Sequence, residues 1–209
     1  MFMVPLFFES IPVTLPRPAI YRRLGYRKEA TLISPGQRQE VEGYIADALL
    51  LLQLKGSALR LPIELGGPAL IRLPEGNAFA SRKLARFLKG AQEIILMGAT
   101  AGTAIMEAIQ ADIGGRNVTR GVVLDATASE VVDAGLDWIM GYFRQSLRRE
   151  GKMLLNSRFS AGYGDFTLEN QQLMHRLLEM GRLDVKITES CLLVPEKSVT
   201  AVTGIVLSV

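Results

Sequence analysis

The feature that most limits how this chain can fold is the amphipathic pattern between residues 118 and 150. Val132, Leu136, Ile139, Phe143 and Leu147 recur there at spacings of four, three, four and four, the period of one helical face. The pattern predicts a long helix whose apolar stripe the rest of the chain must cover. Beside the stripe lie Glu130, Asp133 and Asp137, three carboxylates on one flank. Like charges at i,i+4 are mildly unfavourable on a bare helix. Their grouping points to a cationic partner, and a surface helix answered by distant arginines accounts for it equally well.

Around this helix the signals alternate between short strands and helices without a regular βαβ repeat. Residues 2–14 are rich in Val, Phe, Ile and Thr but interrupted by Pro5 and Pro12, which predicts an edge strand or two short strands. Pro18 opens a short helix over 19–24 that Gly25 closes. Val41, Ile45, Leu49 and Leu52 mark an amphipathic helix over 36–54. Residues 59–65 and 69–73 read as two strands joined at Gly66-Gly67 in a hairpin, and 80–89 as a basic helix. Thr167 is the expected N-cap of a helix carrying Leu173, Leu177 and Leu178, with Gly181 at its end. Two strands, 184–194 and 198–209, follow around Pro195-Glu196-Lys197. Hairpins mixed with paired helices predict an α+β fold.

An apolar share of 48% with 22% charged residues in 209 residues describes one globular domain over 1–209, large enough to bury a core without staples. The net charge is +3 and the basic residues are scattered, which argues against nucleic-acid binding. Cys191 is the one cysteine, so no intrachain disulfide forms; in Ser190-Cys191-Leu192-Leu193-Val194 it reads as a small buried hydrophobe, and a cytoplasmic setting fits. No cationic leader precedes Glu9, and no apolar run reaches the roughly 18 residues of a membrane span, so no membrane association is expected.

Two stretches invite a ligand. A strand over 93–97 runs into Gly98-Ala99-Thr100-Ala101-Gly102-Thr103 and a helix to about residue 112, an order that suits anion binding at helix amides. It lacks a P-loop lysine and the third glycine of a dinucleotide fingerprint, so close backbone packing is the preferred reading. The other stretch is Ser157-Arg158-Phe159-Ser160-Ala161-Gly162-Tyr163-Gly164-Asp165-Phe166. Its glycines permit positive φ, and Arg158 offers a planar fork of donors suited to a carboxylate. Turn and binding site are equally open from spacing alone. His175, the only histidine, has no catalytic triad or metal-ligand spacing around it and reads as a helix residue. Any chemistry is therefore expected to arrive on a bound cofactor.

The same stretch resembles the Arg-x-x-x-Gly-Tyr signature of the S-adenosylmethionine-binding activation domain of cobalamin-dependent methionine synthase, nearest to its short free-standing members. Further matches are Tyr21-Arg22-Arg23-Leu24-Gly25-Tyr26, the turn from Ala99-Thr100 to Gly102, Leu124-Asp125-Ala126 with Ser129, and Thr188-Glu189-Ser190 through Pro195 to Val202. The resemblance runs from about residue 17 to the C-terminus. It implies a twisted, mainly antiparallel sheet flanked by helices, and a part in reviving inactive cobalamin, with S-adenosylmethionine as methyl source. It implies that Arg158 contacts the methionyl carboxylate and that Gly162 and Tyr163 shape the site. The backbone at Ser160 lines the adenine side, and Asp133 and Asp137 face the amino group or sulfonium as the opposite wall. The implied partners are a cobalamin-binding methionine synthase core or other corrinoid protein and an electron donor such as a flavodoxin. Cobalamin is expected only on that partner, because the chain lacks an Asp-x-His-x-x-Gly motif: Leu173 stands two positions before His175. Two departures stand out, Met106 where members often carry an acid and Asp133 where they carry Glu. They leave room for a docking protein that has lost its ligand, and a nucleotide-binding enzyme built on residues 98–103 is a third reading.

Overall fold

The computed structural model describes residues 4–27 and 31–208. Phe2, Met3 and Val209, at the ends of two expected strands, lie outside them. In chain order, β1 (Leu6–Phe8), α1 (Arg17–Arg23) and α2 (Pro35–Leu51) lead into β2 (Lys55–Pro62). Next come β3 (Glu64–Leu65), β4 (Leu70–Arg72), β5 (Ala78–Ala80), α3 (Arg82–Phe87) and β6 (Glu93–Thr100). The second half holds α4 (Thr103–Gly114), α5 (Val118–Arg148), β7 (Lys152–Leu154) and α6 (Asn170–Leu177), then β8 (Lys186–Ile187), β9 (Leu193–Val194) and β10 (Ser198–Leu207).

Five strands form the main sheet in the order β1-β2-β6-β10-β7, every neighbouring pair antiparallel. Successive side chains of a strand point to opposite faces, and in β6 both faces are buried. Ile95, Met97 and Ala99 enter a core shared with Ala48 of α2, Ile105 of α4 and the α5 stripe. Ile94 and Leu96 enter a second core with Phe79, Leu84, Phe166, Met174 and Leu178. The sheet is therefore sandwiched between α2, α4 and α5 on one side and α3, α6 and the β3-β4-β5 hairpins on the other. This is the α+β architecture that the mixed pattern predicts. All five stripe residues of α5 are buried as their spacing requires. Among the described residues, no helix is long and apolar enough to cross a membrane.

Several elements depart from the sequence expectation for identifiable reasons. In α2, Ala48 is fully buried while Leu49 is 44% exposed, because the helix turns its small residue toward α5 and leaves the leucine outside. Ser34 caps it: its hydroxyl accepts from the Gln37 amide, and the Gln37 side chain accepts from the Ser34 amide, a reciprocal capping box. The strand expected over 59–65 is two strands, split at Ile63, with β2 in the main sheet and β3 in the small hairpin with β4. Gly98, Ala99 and Thr100 are the end of β6, so no glycine loop begins there. Thr167 is not the N-cap of α6; its carbonyl closes a preceding turn by accepting from Asn170. The single strand expected over 184–194 is the β8-β9 hairpin, which the left-handed Cys191 (φ 64°) helps to turn. Cys191 is buried, as its apolar setting predicts.

Close backbone approach sets the middle of the sheet. A Cβ on Gly56 of β2 would stand 2.8 Å from the carbonyl oxygen of Gly98, 2.8 Å from Cδ1 of Ile11 and 3.1 Å from Cδ1 of Ile139. The two isoleucine ends can rotate; the carbonyl is held in the ladder. Gly56→Ala is expected to destabilise the protein by roughly 1–3 kcal/mol, the range for overpacking a closed core, measured as a lower urea midpoint at unchanged slope.

Candidate functional site

The site is built where the chain leaves the sheet edge after β7. Leu155 donates its amide to the Gly204 carbonyl at 2.9 Å, and Phe159 and Val202 exchange both backbone hydrogen bonds at 2.8 Å. Thr203 Oγ1 donates to the Ser157 carbonyl at 2.8 Å. Residues 155–159 are thus tied along β10 before the chain turns. Gly162 (φ 90°) and Gly164 (φ 62°) take the left-handed conformations that their type allows. The turn closes through Gly162 N–H donating to the Phe166 carbonyl at 2.8 Å. Phe166 is fully buried, edge-on to Phe79 with ring centres 5.2 Å apart and 6.1 Å from Phe159.

Asp165 fastens the far side of the turn. One carboxylate oxygen accepts from the Ser81 hydroxyl at 2.6 Å and the Lys83 amide at 3.1 Å, the other from the Arg82 amide at 2.8 Å. Those amides are unpaired donors at the start of α3, which a carboxylate satisfies well. The Ser81 hydroxyl first, and the Lys83 and Arg82 amides after it, hold the Asp165 carboxyl below the ordinary aspartate range. The carboxylate in the motif is therefore a structural pin that sets where the loop lies.

Arg158 faces the long helix. Its guanidinium donates to the Asp133 carboxylate at 2.6 Å and to the Asp137 carboxylate, and more weakly to the Asp133 carbonyl at 3.4 Å. The arginine side chain is 20% exposed, whereas Asp133 and Asp137 are 57% and 68% exposed. Burial works against the guanidinium charge, but hydrogen bonds and charge from Asp133, then Asp137, outweigh it and raise its pKa further. Glu130 is answered separately by Arg23 at 2.6 Å. The cationic partners of the three acids are thus arginines of the chain itself. Further up the same helix face, Lys197 bridges Asp125 at 2.7 Å and Ser129 at 2.9 Å.

Between α5, the loop and the start of β10 lies a cleft of about 530 Å³. Asp133, Arg158, Ser160 and Tyr163 line it; Gly162 and Asp137, the other two candidates, do not, although Gly162 lies between Ala161 and Tyr163 in the chain and Asp137 accepts from Arg158. Phe159, Ala161 and Val199 supply apolar wall, while Gln171, Ser198 and Thr200 supply polar wall. Tyr163 is 68% exposed and stands at the rim. The arrangement offers a guanidinium and a carboxylate beside an apolar and aromatic surface, which suits a zwitterion joined to a flat ring system. Gln171 and Thr200 were not among the sequence candidates. The available signal was a polar residue on the inward stripe Gln171-Met174-Leu178 of a helix, a position that calls for an apolar side chain.

Other sequence candidates fall elsewhere. A Cβ on Gly98 would stand 2.4 Å from the Met180 sulfur, so close packing explains that glycine. The space beside Gly102 and Thr103 is about 30 Å³, room for a water and not for a phosphate chain. His175 is part-buried with Nε2 2.7 Å from the Val185 carbonyl. Met106 sits in the α5-side core, away from the cleft wall. Among the described residues, no group of three or more histidines, cysteines and acids is placed to hold a metal.

No protein-family model matches the chain, and no curated protein matches it. Thirteen solved chains do match. One is the crystal structure of the MetH reactivation domain bound to AdoHcy, with a TM-score of 0.71 at 15% sequence identity, over 97% of this chain and 78% of that one. At that identity the likeness establishes a shared fold, a curled antiparallel sheet flanked by helices.

The Asp165 pin carries a pH signature. A carboxyl whose folded pKa is depressed contributes stability above its unfolded value, about 3.9, and loses it as pH falls through the folded value. Asp165→Asn is expected to lower the melting temperature at pH 7, with the gap to wild type closing as both are taken from about pH 4 to pH 2. Thermal unfolding followed by circular dichroism across that range checks it.

Proposed function

We propose that this chain binds S-adenosylmethionine in the cleft between α5 and β10 and supports reductive methylation of cobalamin carried by a methionine synthase core or related corrinoid protein. The observation that carries the reading is the convergence of Arg158 and Asp133 at one 530 Å³ cleft, in a fold shared with a domain crystallised with AdoHcy. When bound, S-adenosylmethionine supplies the methyl group. The chain's own part is binding and alignment. Arg158 offers parallel N–H donors to the methionyl carboxylate. Asp133 offers a carboxylate to the ammonium or sulfonium, and Asp137 keeps the guanidinium oriented. The backbone at Ser160 and the ring of Tyr163 border the adenosyl moiety, with Gly162 shaping the turn that presents them. Holding a reactive methyl in line and excluding water is catalysis by positioning. Cobalamin stays on the partner protein, and reducing power comes from an electron donor such as a flavodoxin.

One observation favours a second reading, a docking protein for a corrinoid partner without ligand binding. Arg158 is already answered by two carboxylates, so nothing in its charge balance demands a ligand anion.

Calorimetric titration separates the two. Heat is expected with S-adenosylmethionine and with its demethylated product, and Arg158→Ala should weaken binding by roughly 1.5–3 kcal/mol, the loss of one charged hydrogen-bonded contact. No heat at millimolar ligand from folded protein would sink the proposal in favour of the docking reading.

A further inference from the structure

The inward face of α6 carries Gln171 and Met174, continued by Leu178 at its C-cap, and Gln171 is only 8% exposed. A buried carboxamide is costly unless its groups are hydrogen-bonded. Half of this one is accounted for: Oε1 accepts from Thr200 Oγ1 at 2.8 Å, and Thr200 on β10 is itself 2% exposed. That bond turns the amide oxygen toward the strand and the nitrogen away from it. Nε2 makes no hydrogen bond to protein among the described residues, yet no side-chain nitrogen or oxygen there is sealed from solvent without a partner. Nε2 therefore keeps access to solvent, and Gln171 and Thr200 form part of the cleft wall with Phe159, Ala161 and Tyr163. A fixed N–H₂ donor set among apolar and aromatic surfaces suits a flat heterocycle with a ring-nitrogen acceptor.

We infer that Gln171 is a specificity-determining residue of the cleft, donating from Nε2 to a ring nitrogen of the ligand's purine, with Thr200 as the positioning residue that fixes the amide. The inference rests on the reading of the cleft as an adenosyl-ligand site. A buried donor that the ligand must satisfy discriminates against ligands lacking the acceptor, because the amide is otherwise left unpaired.

The test titrates S-adenosylhomocysteine and its 1-deaza, 3-deaza and 7-deaza analogues, each lacking one ring acceptor, into three proteins. Wild type is expected to bind one analogue roughly tenfold more weakly than the parent and the other two about equally, as one hydrogen bond is lost. The double variant Gln171→Met/Thr200→Val replaces both partners by apolar groups of similar shape, which spares the fold. It is expected to bind the parent roughly tenfold more weakly and to discriminate among none of the analogues. Gln171→Glu keeps an acceptor for Thr200 while removing the donors, and is expected to show the same two losses. Retained discrimination in the variants, or equal binding of all four ligands by wild type, would overturn the role of Gln171 and leave the adenosyl site standing. No binding of any of the four by wild type would remove the site and this inference together.

Discussion

Everything in this molecule leans on the antiparallel ladder β2-β6-β10 and on its being buried on both faces. A strand covered on both sides must satisfy its backbone polar groups within the sheet, and the eight-residue registers of β6 with β2 and with β10 do so. Burying both faces also gives the sheet a core on each side. The core under α5 is closed by the helix's stripe. The core on the other side is closed by short pieces, namely α3, α6 and the small hairpins, which have little stability of their own.

Those short pieces explain how the ligand-sized cleft is held. The loop after β7 is fixed at its start by backbone pairing of Phe159 with Val202, at its middle by the glycine turn, and at its end by Phe166 in the core and Asp165 on α3. Three anchors of different physical kinds leave Arg158, Ser160 and Tyr163 displayed on a support whose position is set elsewhere. Preorganisation of this sort lowers the ordering cost a bound ligand would otherwise meet.

Charge on the α5 flank beside the cleft is nearly self-compensated. The side of α5 that faces the loop and β10 presents Asp125, Ser129, Asp133 and Asp137 at steps of four, and Lys197 and Arg158 reach it from two separate elements. Ion pairs with exposed acids contribute little to stability, about 0–1 kcal/mol each. Their effect here is orientation: Asp133 and Asp137 hold the Arg158 guanidinium at the edge of the cleft.

Much of this was legible in the amino-acid sequence. The period of residues 132–147 dictates a long helix with one buried face, and the mixture of hairpin and helix signals dictates an α+β class. Arg158 and the flanking glycines announce an unusual turn, because those residue types do specific things to a backbone or an anion wherever they stand. Local pattern could not say that Ala48 and not Leu49 faces the core, that residues 59–65 divide between two sheets, or that Asp165 caps a helix more than eighty residues away. Nor could it pair Arg158 with Asp133 and Asp137 or seat Gln171 against Thr200. Each of these depends on which surfaces meet once the sheet has closed on both sides. Sequence alone determined the long helix, the fold class and the residue types of the turn around Arg158; only the tertiary structure decided how several strands divide and which groups face one another, because that is set by long-range packing and not by the period of any single segment.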